Sequence, residues 1–173
     1  VYDGGGISPD IKVDIDSVSD FTKKLLQDFI VFDFATEYYY KHTSIKDASD
    51  FVITESIYNE FIQFAENKNI HFQSRSNLIS QKLYSEAEKE KYNEAILKKI
   101  KDLQKELETD QTDAFIIYKD EIISFLATEI VSRYYYEKGK IITYMKYDKE
   151  FKEALIVLKD KGKYASILSS QND

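Results

Sequence analysis

Residues 92–107 read YNEAILKKIKDLQKEL, with apolar positions Tyr92, Ile96, Ile100, Leu103 and Leu107 recurring in steps of four and three. That spacing lines one face of an α-helix and forms the seam of a coiled coil or a long antiparallel hairpin. The opposite face is charged, and the helical pattern runs from about Asn77 to Glu108. After a polar turn near Thr109 to Asp113, a second long helix presents Phe115, Ile122, Leu126, Ile130 and Tyr134. Matched length and pattern predict that these two helices pair as an antiparallel arm.

Working outward, the rest of the chain from residue 17 also reads as helix. Ser17 with Asp20 three residues later resembles a capping arrangement, opening a helix to about Tyr40 with Phe21, Leu25, Phe29 and Phe32 among its apolar residues. Between Phe29 and Phe34 the apolar stripe is too wide for one solvated face, so deep packing is expected. A further helix spans about Thr54 to Asn67, with Ile57, Phe61, Phe64 and Ala65 on one face. Ile70-His71-Phe72 reads as short and extended. Beyond Gly139, shorter helices carrying Phe151, Ala154, Leu155 and Leu158, then Tyr164, Ile167 and Leu168, are expected to return to the base of the arm.

The first sixteen residues differ. Gly4, Gly5, Gly6 and Pro9 hold most of the chain's glycine and proline, and Ile11, Val13 and Ile15 alternate with Lys12 and Asp14. Period two predicts a strand with one buried face. A lone strand cannot satisfy its own backbone groups, which points to a sheet supplied from elsewhere. The chain begins at Val1, and its only methionine is Met145. The expectation is a fragment of a longer protein.

Composition narrows the function classes. A hydrophobic fraction of 43% with 14% aromatic residues supports a folded core. Twenty-four basic against 31 acidic residues leave a net charge of −7, which repels phosphate backbones, so no nucleic-acid partner is expected. No apolar run approaches the roughly 20 residues of a membrane-spanning helix. The absence of cysteine removes thiol nucleophiles and cysteine-based zinc sites from this segment.

Motifs for chemistry are sparse. Gly4-Gly5-Gly6-Ile7 lacks the GxGxxG spacing and the P-loop lysine, and reads as a tight turn. His42 and His71 stand alone. Carboxylate pairs such as Glu86 with Glu90 and Glu106 with Asp110 lie among lysines and read as a solvated helix face. Ser169 and Ser170 lack the context of an activated nucleophile. No catalytic, cofactor-binding or metal residue is assigned. The conspicuous features are Tyr38-Tyr39-Tyr40 and Tyr134-Tyr135-Tyr136. Anchoring of helix ends is the commoner role of such boundary tyrosines, and an aromatic platform for peptides is the functional alternative.

The opening Val1-Tyr2-Asp3-Gly4-Gly5-Gly6-Ile7-Ser8-Pro9-Asp10 resembles the V-Y-x-G-G-G-I-x-P-D segment of C-terminal processing, or tail-specific, serine peptidases, although Asp3 stands where glycine is usual. Glu129-Ile130-Val131-Ser132-Arg133-Tyr134-Tyr135-Tyr136-Glu137-Lys138-Gly139 is similar to a signature of the branch from Bacteroidetes-like bacteria. Tyr147-Asp148-Lys149-Glu150 leading to Ala154 and Leu158 is similar too. The resemblance implies a periplasmic or envelope-associated parent that cleaves proteins near their C-termini with a serine and lysine pair, without metal or nucleotide. Its catalytic residues and PDZ module would lie upstream.

The combined reading is an all-α chain with a long antiparallel hairpin. Residues 1–16 would be a loop and strand of the upstream peptidase domain, and 17–173 a helical C-terminal domain. This region would be non-catalytic, packing on the catalytic domain or on a second protomer in a homo-oligomer, and gating or positioning unfolded protein tails. The rival readings are a free-standing helical protein-binding adaptor and, third, an independent hydrolase using the scattered carboxylates.

Overall fold

Ser19 has extended backbone, and its hydroxyl accepts the Thr22 N–H at 3.1 Å, satisfying one of the free donors of a new helix. Helix α1 (Asp20–Gln27) therefore starts two residues later than Ser17 would set it. The Ser19 N–H is held by Glu121 at 2.8 Å, which ties this end to a helix a hundred residues away. In the computed structural model, residues 9–14, 17–68, 70, 72–108 and 111–169 are described. Among them the chain is all-α, with nine helices and no strand.

The strand expected over Ile11 to Ile15 does not form over residues 11–14. Ile15 and the glycine loop at residues 4–6 lie outside the described residues, as do His71, Asp110 and Ser170. Alternation survives as burial alone, with Ile11 and Val13 half-buried and Lys12 and Asp14 exposed.

The helix expected to run unbroken to Tyr40 ends at Gln27. Phe29 takes a left-handed backbone (φ 60°), and α2 (Ile30–Lys41) starts behind it. Ile30, Val31 and Phe34 are buried as expected, whereas Phe29 and Phe32 are exposed. Next come α3 (Glu55–Asn67), capped by the Thr54 hydroxyl at 3.3 Å, and α4 (Arg75–Lys89), capped by Ser74. The long helix expected over 77–108 is also two. Lys91 is left-handed (φ 56°), and Asn93 caps α5 (Glu94–Leu107) by accepting the Ile96 N–H at 3.1 Å.

The arm is accordingly α4 against α5, because the chain reverses within a few residues and the two helices pack on each other. After α6 (Gln111–Ile117), α7 (Lys119–Met145) packs instead on α2. Its stripe of Ile122, Leu126, Ile130 and Val131 meets Val31, Phe34 and Ala35 in one core. α8 (Lys149–Lys159), capped by Asp148, and α9 (Lys161–Ser169) pack on each other. The start of α8 closes on the end of α7 over an apolar cavity of about 480 Å³ lined by Ile142, Met145, Phe151 and Leu155.

A chain of rings fills the core. Phe21 meets Phe72 and Phe115 edge-on at 5.0 and 4.9 Å, Phe115 meets Phe61 at 6.0 Å, and Phe61 meets Phe34 at 5.3 Å. Each such contact adds about 0.5–1.5 kcal/mol beyond burial. Tyr58 joins this layer without an unpaired polar group, its hydroxyl donating to the Phe115 carbonyl at 2.7 Å.

Candidate functional site

The aromatic runs on α2 and α7 come together. Three consecutive residues cover most of a helix circumference, so a tyrosine triplet cannot act as one unit. Tyr38 points into the core, where burial and then the Glu60 carboxylate raise its pKa, and its ring stacks on His42 at 3.9 Å. His42 accordingly ends α2, with Nδ1 at 2.9 Å from the Tyr38 carbonyl. Tyr134 donates to the His42 carbonyl at 2.6 Å and meets Tyr39 edge-on at 4.9 Å. Burial is the first cause raising its pKa, ahead of the neighbouring Tyr38 and Tyr39.

These bonds begin a ladder. Side chains of α7 and of its C-cap Lys146 donate to the strap at residues 42–51 at every third carbonyl: Tyr134 to His42, Tyr135 to Ile45 at 3.4 Å, Thr143 to Ala48 at 3.3 Å and Lys146 to Phe51 at 3.0 Å. Burial lowers the Lys146 pKa and outweighs the opposing pull of Asp50. Tyr38, Tyr134 and Tyr135 are anchors, as the commoner reading expects.

Tyr39, Tyr40 and Tyr136 are not. They are exposed, Tyr40 at 81% and Tyr136 at 78% of their surface, and with Phe32 they line a groove of about 560 Å³ between α2 and α7. Arg133 forms its floor. The guanidinium lies 4.5 Å from the centre of the Phe32 ring, donates to the Phe32 carbonyl (2.9 Å) and Thr36 hydroxyl (3.0 Å), and pairs with Glu129 at 2.7 Å. A guanidinium so occupied joins two helices rather than waiting for an anion. Glu137 and Lys140 stand at the rim. The groove can stack apolar or aromatic side chains of an extended chain; it presents no nucleophile and base in contact.

The other described candidates from the sequence stay apart. Ser169 donates to a carbonyl of its own helix, as Ser80, Ser124 and Ser132 do in theirs, and Glu86 pairs with Lys89 at 2.7 Å. Among the described residues no group of three or more His, Cys, Asp or Glu could hold a metal ion, and no helix is long and apolar enough to cross a membrane.

A family model described as "Probable PDZ-protease, C-terminal helical domain" matches residues 21–158, from the first turn of α1 to the end of α8. None of the curated proteins matches. None of the solved structures does either.

Proposed function

The chain belongs to the family of C-terminal helical domains of probable PDZ-proteases, and from that premise we propose that it is the non-catalytic accessory region of a serine endopeptidase that processes protein C-termini. It packs on the catalytic domain or a second protomer and gates or positions unfolded substrate tails. The family match over nearly all of the helical chain carries this reading, and the aromatic groove supports a contact with extended polypeptide. Residues 1–16 belong in this proposal to the preceding peptidase domain, whose sheet would take the alternating Ile11, Val13 and Ile15. The parent works in the periplasm or cell envelope with a serine and lysine pair.

The test uses the full-length parent with residues 75–107 replaced by a short flexible linker, which leaves the ring core untouched. Altered rates or cleavage sites on unstructured polypeptides, with unchanged hydrolysis of a short peptide, are the expected result. Unchanged processing of several polypeptides defeats the gating role. A native gene product near this chain's 20.3 kDa and without turnover defeats the peptidase reading, and leaves the groove to a free-standing adaptor.

A further inference from the structure

The α4–α5 arm buries polar side chains along with apolar ones and leaves other apolar side chains outside. Successive residues advance by about 100° around a helix. On α4 the buried positions are Asn77, Ser80 and Ala87, with Tyr84 half-buried beside them, whereas Ile79 and Leu83 stand exposed at 57% and 49%. On α5 the side toward α4 is Leu97, Ile100 and Gln104; the Gln104 amide donates to the Ser80 carbonyl at 3.0 Å. Ile96 and Leu103, which sequence spacing puts on the seam, are left 36% and 43% exposed.

Lys101, 4.9 Å from the centre of the Tyr84 ring, fixes which edges of the two helices adjoin. Lys98, Lys101 and Lys105 share the Tyr84 side of the arm. Ile79, Leu83, Ile96 and Leu103 share the other. One broad face is therefore charged, with Glu94 among its lysines, and the other is apolar and spans both helices.

We propose that this apolar face pairs with the same face of a second copy, closing two hairpins into a four-helix bundle. Ile96 and Leu103 are seven residues apart, and Ile79 and Leu83 are four apart. Those are the spacings at which a facing helix interdigitates. The charges bordering the face on α5 are of both signs, Lys99 and Glu106. An oppositely charged partner would call for one sign, whereas a mixed border lets like meet like across a two-fold axis. A face two helices wide and 14 residues long covers about 20 by 20 Å, so a pair of them removes on the order of 1,000 Å² from water. That reaches the lower bound of a specific interface, and it rests on the arm's own surface, independently of the peptidase reading.

Sedimentation equilibrium of the whole 173-residue chain from about 1 to about 200 µM brackets the micromolar affinity such an area supports. A monomer–dimer equilibrium is expected. The double variant Leu83→Lys, Leu103→Lys weakens it more than about tenfold, with helicity by circular dichroism unchanged because both side chains are exposed in the single copy. Leu83→Met with Leu103→Met retains the dimer, and Lys98→Ala with Lys105→Ala on the far side leaves it within about twofold. A chain monomeric throughout, or an association indifferent to the leucine-to-lysine changes, overturns the proposal. So does a monomer that uses this face to hold the separately produced remainder of the parent, or anionic vesicles, with that binding lost in the same double variant.

Discussion

Tyr136 holds a backbone that side chains rarely tolerate, φ 54° with ψ −153°, in the middle of α7. Such a conformation costs about 1–3 kcal/mol and persists only where neighbours impose it. Here they do: Tyr134 and Tyr135 are fastened on one side, and three residues beyond lies Gly139. A Cβ at Gly139 would lie 2.3 Å from Tyr135 Cβ and 3.0 Å from a Val131 methyl. Gly139→Ala is therefore expected to destabilise the fold by about 2 kcal/mol or more through overpacking, read as a lowered urea midpoint. Tyr136→Gly should do the reverse and raise the midpoint. The last glycine of the Tyr134-Tyr135-Tyr136-Glu137-Lys138-Gly139 run thus has a steric reason that its sequence alone does not display.

For the helices, sequence was a good guide where caps are local and a poor one where breaks are not. Thr54 before α3 and Asp148 before α8 are side-chain caps with their own short-range hydrogen bonds, and Thr54 was read as a helix start. The helix breaks fall at Phe29, Lys91 and Tyr136, the positive-φ residues other than glycine among those described. Pattern rules look for glycine or asparagine at such points, so continuous helices were expected across Phe29 and Lys91 where packing divides them, and the arm was assigned to the wrong pair. The tyrosine triplets were visible, but not that α2 and α7 would bring them together. At the tip of the arm, Tyr92 N–H reaches back to the Ala87 carbonyl at 3.0 Å around left-handed Lys91. Lys91→Gly is expected to stabilise by about 0.5–1 kcal/mol, seen as a higher thermal midpoint without change in helicity.

Across the whole molecule, buried phenols set the alkaline limit of stability. Burial is the leading cause raising the pKa of Tyr38, Tyr58, Tyr134 and Tyr147. In the unfolded chain these groups ionise near pH 10, while the fold keeps them protonated. Their contribution is fully present below that pH and is lost as pH rises through the folded values, because there the unfolded state holds fewer protons. Lys146, lowered by burial, pulls the opposite way as a single partly buried group. Urea midpoints should fall between pH 9 and 11, and Tyr58→Phe should decline less steeply after an initial loss of about 1 kcal/mol from the missing Phe115 bond. A slope unchanged in that variant would assign the alkaline limit elsewhere.

The strap at residues 42–51 is bonded to α7 on both sides of the Tyr136 break, by Tyr134 and Tyr135 before it and by Thr143 and Lys146 after it. It works as a splint, holding the angle of the break from outside the helix. Opening of the distal turns of α7 then requires the strap to lift, and lifting the strap frees those turns, so the two should exchange amide hydrogens as one cooperative unit. A protease nick after Lys46 would cut the splint between its fastenings, and the strained residue would then be free to relax.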